Sequence, residues 1–311
     1  MSSIASGVWP TMVTPFKETG KIDYIGVEKI LRFYADNGVA GVFAVCQSSE
    51  MFHLSLKERQ ELAAFISNNL PKGMQMIVSG HTADAVDEQI REAYEIMCRG
   101  AYAYVVLPNR FAAEEETEDS LLLKLEQFIK GFDTAPLGMY ECPFPYKRLL
   151  SERVLKYCVD SGRFHFIKDT CCSPAMIKKK LDLIAGTGMK LFNANSATLL
   201  KSLEMGAAGF SGVMANIHPE FYVWLCENFS TQPDKALKVQ QYLGAASMAE
   251  YQFYPVNAKY ALGLRGVPLH LLSRTKDSDL FAESQRLEME HFVKHSAFMA
   301  EAFAIKKLQK I

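Results

Sequence analysis

Short apolar runs recur along the chain, each followed by a stretch whose apolar residues are spaced for a helix. The runs are VWPTMVTPF (8 to 16), GVFAVC (41 to 46), MQMIVSG (74 to 80), AYAYVVLP (101 to 108), PLGMYECP (136 to 143), FHFIKD (164 to 169), MKLFNA (189 to 194) and AGFSGVM (208 to 214). Most are continuously apolar rather than alternating, the pattern of parallel strands covered on both faces, although short buried helices share it. Between them, Val27, Ile30, Leu31 and Tyr34 stand at i, i+3, i+4 and i+7, and Leu62, Phe65 and Ile66 begin the same spacing. That spacing predicts helices that bury one stripe. Ser55 followed by Glu58 is a capping-box signature, and the acidic run EEETED from Glu114 sits where a helix N-terminus accommodates negative charge.

Strand–helix units repeating every ~25 to 35 residues have the rhythm of a TIM (β/α)8 barrel, which occupies about 250 residues. Residues 1–216 are therefore expected to form the barrel, and 217–311 a C-terminal α-helical extension packed on it. The extension reads as helices over PEFYVWLCENF, over DKALKVQQYLGAASMAEYQ and from about Asp279 onward, with turn signals in YPVN and GLRGVP. No repeat, low-complexity tract or flexible linker separates the two parts.

Composition narrows the class of function. Of 311 residues, 49% are hydrophobic and 22% charged, and the net charge is -1, so nothing draws the chain to nucleic acid or an anionic membrane. No apolar run approaches membrane-spanning length, and MSSIASGVWP lacks the regions of a signal peptide. Seven scattered cysteines without a CxxC pair argue against a disulfide framework or structural zinc, and the vicinal Cys171 and Cys172 read as small buried thiols. His53, His81, His165 and His218 form no compact ligand pattern. A cytoplasmic protein acting on a small molecule, with no metal or cofactor, is expected.

Active sites of such barrels lie at the C-terminal ends of the strands. The polar residues there include Gln47, Ser48 and Ser49 in CQSSE, Arg110 after run four, Tyr140 with Glu141, Lys168 with Asp169, and Ser211. Lys168 follows Phe-His-Phe-Ile directly and would be partly desolvated. An ordinary lysine, with a pKa of about 10.4, is almost wholly charged at neutral pH, and a downward shift of about 3 units makes it a usable nucleophile. Such an amine forms Schiff bases with ketones. Snorkelling to solvent or pairing with Asp169 is the alternative. Tyr140 would end the neighbouring strand about 4.8 Å away, either as a proton-transfer group or as a core ring. Ser48 and Ser49, with nearby backbone amides, suit a carboxylate or make a plain polar turn. Arg110 either meets a second carboxylate or a sugar-acid hydroxyl at the mouth, or lies over the acidic run at 114 to 118.

Taken together, GVWPTMVTPF, the SSE turn followed by LSLKER, MYECP, FIKDT and GAAGFSG resemble the dihydrodipicolinate synthase / N-acetylneuraminate lyase superfamily, in that order and over essentially the full chain. The resemblance implies a lyase or aldolase in which Lys168 forms a Schiff base with pyruvate or another 2-oxo acid and Tyr140, in a Y-x-x-P motif closed by Pro143, acts as general acid and base. It implies that Gln47, Ser48 and Ser49 occupy the turn that holds the 2-oxo acid carboxylate, that Ser211 supplies a backbone carbonyl, and that the chain is a homo-oligomer, dimer or tetramer. The chain also departs from the family. Cys46 and Ser49 replace glycines of the turn and Gln47 a hydroxyl residue; Pro145 replaces the arginine of lysine-pathway synthases; Asn109 and Arg110 replace their tyrosine pair; Ser196 and Ala197 replace the acidic residues of sialic acid lyases. The expected reaction is thus C–C bond making or breaking with an aldehyde or sugar acid other than those two families use. Two alternatives stay open, a dehydratase acting on a 2-keto-3-deoxy sugar acid through the same imine and a non-catalytic 2-oxo acid binding or regulatory barrel.

Overall fold

The computed structural model describes residues 3–97 and 100–305. Each of the eight apolar runs contributes a strand, and all neighbours pair in parallel: β1 (Gly7–Val8), β2 (Gly41–Ala44), β3 (Gln75–Val78), β4 (Ala101–Val106), β5 (Leu137–Tyr140), β6 (Phe164–Asp169), β7 (Lys190–Asn193) and β8 (Gly209–Phe210). The ladder runs β1-β8-β7-β6-β5-β4-β3-β2. Its two ends meet where Ala40 N donates to Val8 O at 3.0 Å, Phe43 N to Pro10 O at 2.9 Å and Met12 N to Phe43 O at 3.1 Å. β1 is shorter than its apolar run because Pro10 has no N–H to continue the ladder. At the β1–β8 seam, Gly209 comes so close that a Cβ would lie 1.9 Å from Gly7 O, and only glycine fits.

Outside the strands lie α1 (Tyr24–Asp36), α2 (Leu56–Asn68), α3 (Val86–Ile96), a single turn α4 (Pro108–Phe111), α5 (Glu118–Gly131), α6 (Glu152–Asp160), α7 (Pro174–Ile184), α8 (Leu199–Glu204) and α9 (Pro219–Asn228). The periodic residues Val27, Ile30, Leu31 and Tyr34 of α1 are all buried, as are Leu62 and Ile66 of α2. Ser55 caps α2 by accepting Glu58 N, while the Glu58 carboxylate accepts Ser55 N at 2.9 Å. In the acidic run, Thr117 caps α5, which places Glu118 and Asp119 in its first turn.

Within 217–311, expected to form the extension, the first helix is α9, which packs against β1 and β8 as the eighth helix of the ring. Beyond it come α10 (Pro233–Ala246), a 3-10 turn at Ser247–Tyr251, α11 (Val256–Leu264) and α12 (Glu283–Ala302). The molecule is thus a TIM barrel with a C-terminal helical part, and α11 packs on α12. α11 starts inside the YPVN segment read as a turn. Its residues Val256, Asn257, Ala258, Lys259, Ala261 and Leu262 are all buried, so it carries no polar stripe that would mark a helix. Cys171 and Cys172 are also not the buried pair expected: the first is half-buried and the second exposed, at φ 57 in the loop after β6. The six described cysteines are free thiols, and Cys98 lies outside the described residues. No helix of the described residues is long and apolar enough to cross a membrane.

The period of two in a strand sends successive side chains to opposite faces. At the ends of β5 and β6 it directs Tyr140 and Lys168 into the barrel, and Glu141 and Asp169 outward under α7. There Lys180 donates to both carboxylates, to Asp169 Oδ2 at 2.5 Å and to Glu141 Oε1, and all three side chains are buried. Glu141 also accepts Leu150 N at 2.8 Å and Thr170 N at 2.9 Å. Burial pulls the Lys180 amine down, but Glu141 and Asp169 outweigh it and hold the amine above the usual lysine value. Replacing Lys180 with Ala leaves two uncompensated buried carboxylates, so we expect a loss of about 3–5 kcal/mol in urea unfolding.

Candidate active site

A cavity of about 700 Å³ opens at the C-terminal ends of the strands. Gln47, Ser48, Tyr140, Lys168, Thr170 and Tyr254 line it, together with His53, Phe144, Lys147, Asn195, Glu250 and Lys276. Parallel strands end together on one face, which gathers residues far apart in sequence into this one depression.

Lys168 and Tyr140 are register partners on β6 and β5. The Lys168 amine lies 3.6 Å from the centre of the Tyr140 ring, and the lysine is 4% exposed. Burial lowers its pKa to about 8, against the opposing pull of Cys46, Cys142, Asp169 and Glu141. Pairing with Asp169 is excluded by geometry, since that carboxylate faces outward to Lys180 and accepts Cys171 N at 3.0 Å. Snorkelling is excluded by burial. The Tyr140 ring is held edge-on against Phe43, centroids 5.7 Å apart, and its hydroxyl donates to Gln47 Oε1 at 3.3 Å. Burial, above all, holds the Tyr140 phenol well above its usual pKa, so it enters any reaction protonated. Cys142 donates to the same Gln47 oxygen at 3.5 Å, and burial pushes its thiol up to about 11.

The residues of the CQSSE turn divide their work. Gln47 and Ser48 reach the cavity. Ser49 braces the turn from within, its hydroxyl accepting Cys46 N at 3.2 Å and donating to Met12 O at 2.7 Å. Glu50 stands at φ 61 and is 1% exposed, and its carboxylate meets Lys259 of α11 at 2.9 Å. The same carboxylate accepts Ser273 Oγ at 2.9 Å and Thr275 N at 3.1 Å. This acid therefore ties the helical part to the catalytic face, which no local sequence pattern announces because its partners lie more than 200 positions away.

One expected residue points elsewhere. Arg110 takes neither of its anticipated positions: its guanidinium donates to Thr82 O at 2.7 Å, to Ala83 O at 3.2 Å and to Asp84 Oδ1 at 2.8 Å, outside the cavity lining. It sits in the short turn α4, whose direction a strand-end reading does not capture. Ser211 donates to Trp9 O at 3.0 Å across the β8–β1 seam, while its neighbours Gly212 and Val213 line the cavity. Residues that sequence reasoning passed over are Tyr254, from the segment before α11, and Lys147, whose amine donates to Thr170 O at 2.6 Å. Among the described residues, no group of three or more His, Cys, Asp or Glu is placed to hold a metal ion.

Comparison with known proteins agrees with this architecture. Residues 4–295 match the model of the dihydrodipicolinate synthetase family. A 4-hydroxy-tetrahydrodipicolinate synthase of Prochlorococcus marinus is 27% identical over 292 residues, 89% of this chain and 94% of that one. One of Methanocaldococcus jannaschii is 23% identical over 266 residues, 84% of this chain and 89% of that one. Among solved structures, the E. coli K12 prophage protein YagE, of the dihydrodipicolinic acid synthase family and in complex with pyruvate, superposes with a TM-score of 0.83 at 20% identity, covering 97% of this chain and 99% of that one. With the match spanning nearly the whole length and a barrel that bears a buried lysine at the end of β6, the chain belongs to the dihydrodipicolinate synthetase family and is a class I lyase or aldolase.

Proposed function

We propose that the protein joins Lys168 to a pyruvate-like 2-oxo acid as an imine and makes or breaks a C–C bond next to it. The observation that carries this reading is the depressed pKa of a buried lysine beside a phenol at the floor of the cavity. A neutral Lys168 Nζ attacks the keto carbon and gives a carbinolamine, whose hydroxyl leaves as water once protonated. The resulting protonated imine draws the electrons of the neighbouring C–H or C–C bond toward nitrogen, which a neutral ketone does poorly. The enamine then adds to an aldehyde carbonyl, or in reverse is left behind when the aldehyde departs. Tyr140 is the group in position to give and retake protons at these steps, and Gln47 fixes its hydroxyl. Ser48 is a donor for the carboxylate. YagE, in complex with pyruvate, supports the choice of 2-oxo acid.

The second substrate is an aldehyde or sugar acid other than those used by lysine-pathway synthases and sialic acid lyases. Three side chains support this. Arg110 is turned away to the 82–84 loop; Asn109 Nδ2 is engaged by Cys142 O, Phe144 O and Tyr146 O at 2.6 to 2.9 Å; Ser196 is buried against the Tyr222 hydroxyl at 2.7 Å.

Incubation with pyruvate and borohydride should leave one reduced pyruvate on the protein by mass measurement, and Lys168→Ala should carry none; an adduct on the alanine variant would remove Lys168 from the chemistry. Tyr140→Phe should still be trapped, yet turn over about 10² to 10⁴-fold more slowly, the usual weight of general acid–base help. Only the unprotonated amine attacks. Trapping by cyanoborohydride should therefore speed up as pH rises through about 8 and level off above it, and an inflection near the ordinary lysine value would contradict the buried environment of Lys168.

A further inference from the structure

A carboxylate has two oxygens and about four acceptor sites, and inside a cavity walled by protein each oxygen needs a donor. The CQSSE turn brings a single hydroxyl there, that of Ser48, because the Ser49 hydroxyl is spent on Cys46 N and Met12 O. A further hydroxyl arrives from outside the barrel proper. Tyr254, between the 3-10 turn and α11, lines the same cavity as Ser48, Tyr140 and Lys168. Its hydroxyl lies beside those of Ser48 and Thr11, and Ser48 Oγ donates to Thr11 Oγ1 at 3.1 Å.

Asn216 backs this cluster, its Nδ2 3.3 Å from the Tyr254 oxygen. Its two N–H groups go to Thr11 O and Val213 O at 2.9 Å each and its Oδ1 accepts the Tyr34 hydroxyl, so Asn216 cannot turn over. Burial raises the pKa of Tyr254 well above the ordinary phenol value, so it stays a neutral donor. Its distance from the chemistry is small: after burial, Cys142 and Cys46, Tyr254 is among the groups that raise the pKa of Tyr140, whose ring lies against the Lys168 amine. The 2.9 Å pair between Lys259 of α11 and Glu50, next to the turn, fixes the two hydroxyls relative to each other.

We infer that Tyr254 and Ser48 together bind the carboxylate of the 2-oxo acid, so that a residue of the helical part selects acids over neutral ketones at Lys168. This rests on the imine chemistry proposed above. In the absence of substrate Ser48 donates to Thr11 Oγ1; a bound carboxylate accepts the protons of both hydroxyls in charge-assisted bonds, which are about twice as strong as neutral ones.

Cyanoborohydride trapping of pyruvate and of hydroxyacetone, a neutral ketone of similar size, tests this on the full chain. In Tyr254→Phe, which keeps the ring, half-maximal trapping should need about tenfold more pyruvate, the weight of one hydrogen bond to a charge, while hydroxyacetone is trapped as before. Ser48→Ala should show the same selective loss. Equal effects on both ketones, or none on either, would overturn the carboxylate assignment while leaving the imine intact. Wild-type protein that forms no adduct with pyruvate would instead overturn the imine reading and this one with it.

Discussion

Desolvation of one amine is the constraint on which the arrangement of the site depends. Lys168 is kept from water by its position at the end of a strand that is apolar on both sides, and its pKa falls for that reason first. A buried cation is unfavourable unless it is paired or neutral, and among the described residues no carboxylate forms an ion pair with Lys168. The barrel does supply one charge trio on the outer face, where Lys180 takes up Glu141 and Asp169. The strand period sends Lys168 inward and Asp169 outward to Lys180, so that Lys180 is stabilised in its charged form and Lys168 is shifted toward its neutral one. Were the register of β6 shifted by a residue, Lys168 would turn outward toward Lys180 and Asp169 into the barrel.

The pairing of β5 with β6 turns that single pKa into a chemical arrangement. Tyr140 and Lys168 are neighbours because Leu137 to Tyr140 and Phe164 to Lys168 run in parallel, with a register shift between Leu137 and Gly138 that brings the last residues opposite one another. Gly138 makes this packing feasible, since a Cβ there would fall 2.1 Å from the Phe166 ring. Gln47 completes the group from β2's end by accepting from Tyr140 and Cys142 at once. An amide oxygen accepts hydrogen bonds but takes no proton at neutral pH, so Gln47 aims Tyr140 and leaves it as the titrating member of the pair.

The sequence made the barrel legible because eight buried parallel strands leave eight apolar runs, and Lys168 and Tyr140 stood out as polar residues closing two of them. What it hid has physical reasons. α11 buries six of its nine residues, the polar Asn257 and Lys259 among them, and so shows no stripe; α9 looks like an extension helix because helices of the ring and helices packed on the ring carry the same apolar face. Arg110 was misplaced because a single helical turn after β4 redirects it, and Ser49 because a turn has an inside as well as an outside. Tyr254 had no sequence signal at all: its partners Thr11, Ser48 and Asn216 come from separate loops.

Those long-range partners bear on what the helical part is for. A barrel of eight units can close its own ladder, as the contacts from Pro10 to Phe43 and from Trp9 to Phe210 demonstrate. Its mouth is held by the helical part as well. Glu50, buried and in a left-handed conformation, finds its donors in Lys259, Ser273, Arg274 and Thr275. Breaking such a buried pair from one side costs about 3–5 kcal/mol, more than a surface helix gains by packing loosely, so α11 and the loop after it are held firmly over the cavity. The turn that carries Gln47 and Ser48 is thereby fixed through Glu50 to the same segment that delivers Tyr254, and the geometry of the site is as much a property of the C-terminal helices as of the strands.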